Sequence, residues 1–188
     1  MSRPHAPHRK TEVLDAVIAY LAPHGLAQLS MRKLAEALGT STSVISYQFG
    51  GKEALIQEAL VRAREANLSE FTRLRTAQPE LTFGQGLVAL WDWWMDEPAR
   101  LTYSRFNIEA MLTEGVLPRT QRDDLSTFWL DYFTEWLVHD GLSPETAQIQ
   151  ATLALSILSG VTIDLISTGD ADRLTAAVAA FASTLPSR

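Results

Sequence analysis

Two short amphipathic segments joined by a glycine constrain the fold of this 188-residue chain more than any other feature. The first segment has apolar residues at i, i+3, i+4 and i+7, the spacing of a helix with one apolar face. These residues are Met31, Leu34, Ala35 and Leu38. Ser30 precedes them as a predicted N-cap, and Gly39 is predicted to end the helix.

Ser41 is predicted to cap a second, very short helix in which Val44 and Ile45 face inward. The residues predicted to face outward carry hydroxyl groups rather than charges. They are Thr42, Ser43, Ser46 and Tyr47. Small hydroxyls let a helix approach a major groove closely, where they can bond phosphates or base edges. The two segments therefore predict a DNA-reading helix-turn-helix.

The same stretch resembles the signature of the tetracycline-repressor (TetR) family of bacterial one-component regulators. The matching positions are Ser30, Leu34, Ala35, Gly39, Ser41, Ile45, Phe49, Lys52 and Leu55. Two positions depart from the family pattern, since Thr40 stands where Val is usual and Ser46 where Tyr is common. A Ser at position 46 resembles the choline-responsive branch. The resemblance implies an all-helical dimer that binds an operator and releases it when a small molecule enters its C-terminal domain.

Charge is distributed unevenly along the chain. Residues 1–55 carry six basic and four acidic side chains, a net charge of +2, so the total of −6 leaves −8 for the remainder. A mildly basic head on an acidic body fits a protein that contacts DNA at one end. The chain has no cysteine, and its first ten residues have no apolar run. Thiol chemistry is thus excluded, and the expected compartment is the cytoplasm.

Helical periodicity recurs along the whole chain and strand periodicity does not, so we predict an all-α fold of about nine helices. The predicted domains are a helix-turn-helix domain at 1–50, with 1–8 as a flexible tail, and a ligand-binding and dimerisation domain at 51–188. Thr42, Ser43 and Tyr47 are the predicted base readers. Ser30, Arg32, Ser41 and Lys52 are predicted to bind phosphates. Lys52 lies where a helix N-terminus already favours an anion.

Large aromatic side chains are concentrated in the second domain, which holds all five tryptophans. Clustered rings leave irregular gaps that a flat guest could fill, although any single ring more often belongs to the core. The predicted effector site consists of Trp91, Trp94, Tyr103, Phe106, Asn107, Trp129 and Phe133. Aromatic faces in an acidic body would also favour a cationic guest. No metal or cofactor is predicted.

The segment from Gln150 to Ile163 has no charge on any face, so it must be covered on all sides. Its length and its Ser and Thr content argue against a membrane span. A second copy of the chain is the natural cover, through a four-helix contact across a two-fold axis. The predicted interface contains Leu153, Ser156, Ile157, Gly160, Asp164, Val178 and Phe181. Asp164 could meet a guest, the partner subunit or water.

Three functions are compatible with these patterns to different degrees. A ligand-responsive repressor accounts for the helix-turn-helix, the charge distribution and the uncharged segment together. A helical module that binds protein rather than DNA is the alternative. Catalysis is disfavoured, because the four histidines lie in the tail or at helix ends and no nucleophile elbow, zinc spacing or phosphate loop is present.

Overall fold

The computed structural model describes residues 7–113 and 118–185, and these ranges are helical without strands. In chain order the elements are α1 (Pro7–His24), a 3₁₀ helix (Leu26–Gln28), α2 (Met31–Ala37), α3 (Thr42–Phe49), α4 (Lys52–Ala77), α5 (Phe83–Asp96), α6 (Pro98–Leu112), α7 (Arg119–His139), α8 (Pro144–Thr168) and α9 (Ala171–Ala182). The predicted all-α fold of about nine helices is thereby confirmed in the described ranges. Helix α1 already includes positions 7 and 8 of the predicted tail, and the rest of that tail lies outside the described residues.

The helices form two compact units. Unit 1 contains the described residues of Met1–Ala66 and Thr102–Pro118, and unit 2 those of Asn67–Leu101 and Arg119–Arg188. The division differs from the predicted boundary at residue 50, because the first half of α4 and most of α6 belong to the unit that holds the helix-turn-helix. Helices α4 and α6 each contribute residues to both units.

Unit 1 buries the apolar stripes of its short helices. Helix α2 contacts α1 and α3, and the buried side chains include Val17 and Ile18 of α1, Leu34 of α2 and Ile45 of α3. Two ion pairs join α1 to α4 along this unit. Lys10 lies 2.6 Å from Glu58, and the carboxylate of Asp15 accepts bonds of 2.8 and 3.1 Å from the Arg62 guanidinium.

Unit 2 packs α7 against α8 and α5 against α9 around an aromatic core. Two glycines of α5 make this packing possible. A Cβ on Gly84 would lie 2.7 Å from the backbone oxygen of Ala182, and one on Gly86 would overlap the ring of Trp136. The Gly84-Gln85-Gly86 sequence therefore serves close helix packing.

Side chains cap the starts of several helices. Thr82 and Gln85 form a reciprocal capping box at the start of α5, and the Ser143 side chain accepts from the Thr146 N–H in front of α8. Ser30 is in the N-cap position of α2 but its side chain makes no capping hydrogen bond. Ser30 therefore matches the predicted position without the stabilising bond that the prediction assumed.

Candidate nucleic-acid interface and effector-binding core

Helix α3 is held by two buried side chains, leaves Gln48 half-buried and exposes the other five. Ile45 and Phe49 are one turn apart and almost fully buried, so they attach the helix to unit 1 along one edge. The Ser41 hydroxyl accepts a 3.3 Å hydrogen bond from the Val44 N–H, and Gly50 ends the helix in the left-handed conformation at a φ of 87°. A short helix is thereby fixed at both ends with its outer face uncovered in the chain.

The outer face of α3 carries the predicted base readers. Thr42, Ser43 and Ser46 are exposed, and Tyr47 is 81% exposed. The inward orientation predicted for Val44 is wrong, because its side chain is 53% exposed. Consecutive helical residues are about 100° apart, so an eight-residue helix that buries Ile45 turns the preceding residue away from the core.

The predicted phosphate ligands lie at helix starts in the same unit. Arg32 is exposed in the first turn of α2, and Ser41 is exposed in front of α3. Lys52 is the first residue of α4 and is half-buried, with Glu53 beside it. All seven predicted DNA-binding residues therefore belong to the short helices of unit 1 or to their immediate flanks.

A contact that the sequence did not reveal joins α6 to the helix-turn-helix. The Glu109 carboxylate accepts a 2.6 Å hydrogen bond from the Leu26 N–H at the start of the 3₁₀ helix, and Arg105 donates to its other oxygen at 2.7 Å. Gly25 has a φ of +70°, and a Cβ there would lie 3.3 Å from Glu109. Because 83 residues separate Glu109 from Leu26, no local pattern could predict the pair.

The predicted effector residues are divided between the two units. Trp91, Trp94, Trp129 and Phe133 belong to unit 2, whereas Tyr103, Phe106 and Asn107 belong to unit 1. Two of the tryptophans donate hydrogen bonds from their indole N–H groups to other side chains of the protein. Trp91 donates to the Thr175 hydroxyl at 2.8 Å, and Trp94 donates to the buried Asn67 at 3.1 Å.

Trp136, which was not among the predicted effector residues, differs from these two tryptophans. Its ring is fully buried between Phe71 and Phe83, each 5.6 Å away between ring centroids. The Arg75 guanidinium stacks on it at 4.8 Å from the centroid. Among the buried side-chain atoms of the described residues, its Nε1 is the one without a hydrogen-bond partner. An unsatisfied buried donor is costly, so this atom marks a position where an acceptor would be favourable.

Asp164 has a partner within the chain. Both of its carboxylate oxygens accept hydrogen bonds from Arg173, at 2.8 and 3.0 Å, and Arg173 also donates to Asp170 at 3.0 Å. The bonds from Arg173 lower the pKa of Asp164 below its ordinary value, with a partial opposing effect of desolvation. The pair joins the end of α8 to the start of α9.

The surface of α8 has an uncovered apolar stripe. Its positions follow a spacing of four and three residues, so they fall on one side of the helix. They are Ile149, Leu153, Ser156, Gly160 and Ile163, all exposed in the single chain. Two predicted interface residues behave differently: Ile157 is half-buried against the core of unit 2, and Asp164 is half-buried beside Arg173.

Two interface residues were also predicted on α9. Phe181 is half-buried against the core of unit 2. Val178 is only 2% exposed and belongs to that core. The prediction that Val178 lies on an outward surface is therefore wrong, because the apolar stripe of α9 is buried within its own unit.

Helix α8 is longer than the uncharged segment predicted from the sequence. It is 25 residues long, and among the described residues it is the one helix long and apolar enough to cross a membrane by length and composition. The uncharged segment 150–163 is thus part of a longer helix, so length alone does not exclude a membrane span, for which roughly 20 residues are needed. A single helix of this kind is weak evidence for a membrane span, because helices of soluble proteins can have the same length and composition.

Comparison with known sequences identifies the N-terminal part of the chain. Residues 13–59 match the model of the bacterial regulatory proteins of the tetR family. The HTH-type transcriptional regulator BetI 2 of Chromohalobacter salexigens is 33% identical over 69 residues, which cover 37% of this chain and 33% of that protein. The chain thus aligns with about a third of the length of this curated relative.

Comparison with solved structures extends over the whole fold. A TetR transcriptional regulator from Legionella pneumophila superposes with a TM-score of 0.78 at 17% identity, covering 98% of both chains. The fatty acid degradation regulator FadR of Bacillus halodurans gives a TM-score of 0.69 at 17% identity, over 97% of this chain and 96% of its own. The multidrug binding protein EbrR, complexed with imidazole, gives 0.64 at 22%, over 99% and 94%.

The described helices have the fold of these solved structures, with α2 and the uncovered α3 in its N-terminal part. The matching segment 13–59 contains α2, α3 and the start of α4. Over residues 13–59 the chain thus matches the tetR family of bacterial regulatory proteins.

Proposed function

We propose that the protein is a transcriptional regulator that binds operator DNA through α3 and is released from it by a small molecule. The observation that carries this proposal is the construction of α3. Ile45 and Phe49 hold the helix from behind, while its outer face offers hydroxyls and one tyrosine ring without an exposed charge. Within a segment that matches the tetR family model, such a face is suited to a major groove.

Two kinds of contact would operate at this interface. Thr42, Ser43 and Tyr47 would read base edges, because they lie on the exposed side of α3. Ser30, Arg32, Ser41 and Lys52 would bind phosphates at the flanking helix starts. Backbone contacts position the protein on any duplex, whereas base contacts distinguish sequences, so the two groups are separable by experiment.

Lys52 provides the first test. Replacing Lys52 by Ala removes one cation from the N-terminus of α4, so we expect weaker binding to all duplexes alike. The slope of log K against log salt concentration should become shallower by about one ion per subunit. Fluorescence anisotropy of a labelled duplex at several salt concentrations measures both quantities. Arg73→Ala removes the same charge from unit 2 and serves as the control. An unchanged slope for Lys52→Ala would contradict the phosphate role.

We further propose that two copies associate through α8. The stripe on this helix combines large apolar groups at Ile149, Leu153 and Ile163 with small residues at Ser156 and Gly160. Small residues at the centre would let two helices approach closely, and the flanking aliphatic groups would lose their exposure to water. A two-fold axis would place one α3 helix on each side, as a pair of successive major grooves requires.

The effector is proposed to bind in the aromatic core of unit 2. Trp91, Trp94, Trp129 and Phe133 belong to the same hydrophobic cluster as Trp136, whose buried Nε1 has no hydrogen-bond partner among the described residues. A flat molecule with a hydrogen-bond acceptor would satisfy that donor and stack on the rings. Related folds have been solved with aromatic guests, since EbrR is described with malachite green and a TetR from Acinetobacter baumannii with minocycline.

An effector acts by binding one conformation better than another, so binding must be coupled to loss of DNA. Malachite green and minocycline are suitable probes. We expect quenching of tryptophan fluorescence by a bound probe, together with dissociation of a labelled duplex at the same probe concentration. Trp136→Phe, which removes the N–H and keeps a ring, should weaken the response. Quenching without dissociation would contradict the proposed coupling.

We propose no catalytic step and a cytoplasmic location, as befits a regulator of transcription. His24, at the end of α1, interacts with a residue one turn earlier in the same helix. Its Nδ1 lies 2.7 Å from the Tyr20 carbonyl oxygen, and its ring stacks on that tyrosine. His24 thus has a structural partner rather than a catalytic neighbour.

A further inference from the structure

The exposed Val44 of α3 can distinguish DNA sequences by an apolar contact, which the hydroxyl residues of this helix do not provide. In the fully described helix α3, Val44 is the one aliphatic side chain on the uncovered side. Single apolar residues on a protein surface are common and need no special explanation. Val44 differs from these because it lies on the face proposed to enter DNA.

Helix geometry places Val44 beside the other residues of that face. Ser43 and Tyr47 are four residues apart and lie opposite the buried Ile45. Val44 is three residues before Tyr47, which puts it about 60° around the helix from the tyrosine. A helix that inserts Ser43 and Tyr47 into a groove therefore also brings the two γ-methyl groups of Val44 to the base edges.

The chemistry of the major groove then determines what Val44 can recognise. A valine has no donor or acceptor, so it cannot replace the water bound to the polar edges of adenine, guanine or cytosine. Covering those groups would cost free energy without compensation. Thymine alone among the four bases presents an apolar group there, its 5-methyl. Contact between this methyl and the valine would remove apolar surface of both groups from water.

We propose that Val44 reads the 5-methyl group of a thymine in each operator half-site. The inference rests on the proposed DNA-binding function and extends it from a hydrogen-bonding interface to an apolar contact with one kind of base.

Replacement of thymine by deoxyuridine tests the proposal, because it removes the 5-methyl group and leaves base pairing unchanged. Duplexes are first selected from a random library by the full-length protein. Each thymine of the selected duplex is then replaced in turn, and dissociation constants are measured by fluorescence anisotropy. At one position in each half-site we expect binding to weaken roughly threefold to fivefold, the factor given by burying one methyl group.

Two variants assign that effect to the valine. Val44→Ala should bind the thymine duplex more weakly and should bind the thymine and deoxyuridine duplexes equally. Val44→Thr keeps the shape of the side chain but replaces one methyl by a hydroxyl, so it should retain part of the preference. Val61→Ala makes the same truncation at an exposed valine of α4, 41% exposed, and should keep the full preference. Since both valines are exposed, thermal melts should show that all three variants fold.

The possible outcomes separate the proposal from the function on which it rests. If no thymine of a selected duplex shows a methyl effect, or if Val44→Ala retains the effect, Val44 does not read thymine although the protein reads DNA. Selected half-sites without thymine would overturn the inference in the same way. If selection enriches no sequence at all, the proposed DNA-binding function fails, and the inference fails with it.

Discussion

Gly86 of α5 offers a sharp test of how unit 2 is packed. A Cβ at this position would overlap one atom of the Trp136 ring and lie 3.0 and 3.2 Å from two others. The ring cannot move away freely, because it is fully buried and has Phe71, Phe83 and Tyr132 within 5.6 to 6.3 Å between centroids. Gly86→Ala must therefore displace several packed side chains.

Two opposing contributions set the expected magnitude. Alanine is favoured over glycine inside a helix by about 1 kcal/mol, whereas overpacking a core typically costs 1–3 kcal/mol and occasionally more. With one ring atom overlapped and two more in close contact, we expect a cost at the upper end of that range, about 3 kcal/mol, and hence a net loss of about 2 kcal/mol. For a chain of this size that loss corresponds to a melting temperature lower by roughly 4–8 °C.

A double-mutant cycle isolates the contact. Trp136→Phe shortens the ring system and removes the unsatisfied N–H, so Gly86→Ala should cost much less in that background. We expect a coupling free energy of about 1 kcal/mol or more between the two sites, measured by urea unfolding at one fixed protein concentration. If Gly86→Ala raises the melting temperature, or if the two changes are additive, the described packing of α5 against Trp136 is refuted.

Three further predictions concern other parts of the molecule. Leu153→Asp should convert the proposed dimer to a monomer at micromolar concentration in sedimentation velocity. Val138→Asp, which alters an exposed valine on α7, should leave the dimer intact. If both variants remain dimeric, α8 does not form the interface. Asp140→Ala removes a buried carboxylate that accepts a 2.6 Å bond from the first N–H of α5, so urea unfolding should show a loss of about 1–3 kcal/mol; a neutral effect would contradict this role. Bonds from Arg173 lower the pKa of Asp164 below its ordinary value of 3.8. These bonds therefore stabilise the folded state above that pH, and the stabilisation is lost as the pH falls below it. The stability difference between wild type and Arg173→Gln should accordingly be constant near neutral pH and shrink below 3.8; a difference independent of pH would exclude the ion pair as its source.

The parts of the fold that were predictable depend on neighbours in sequence. The N-cap of Ser41 on α3 involves only residues 41–44, so a local pattern was sufficient to predict it. The same holds for Ile45 and Phe49, which share a helix face at a spacing of four. Val44 was misassigned because apolarity was allowed to outweigh its angle around the helix, an error that helix geometry alone could have prevented.

The parts that were not predictable depend on partners brought together by the tertiary fold. Glu109 reaches Leu26 across 83 residues, and Trp136 packs into the space that Gly86 leaves open. Nothing local distinguishes these residues from ordinary surface or core positions. The pair of Asp164 and Arg173 is an intermediate case, because nine residues and one turn separate them and a salt bridge across that turn was foreseeable.

Two copies of the chain are proposed to present their two α3 helices to successive major grooves. Hydroxyl-radical footprinting of a selected duplex measures this directly. We expect two protected patches whose centres are separated by one helical turn, about 10–10.5 base pairs, or by a whole multiple of it, and both should disappear with Tyr47→Ala. A single patch, or protection that is the same on an unrelated duplex, would contradict the claim.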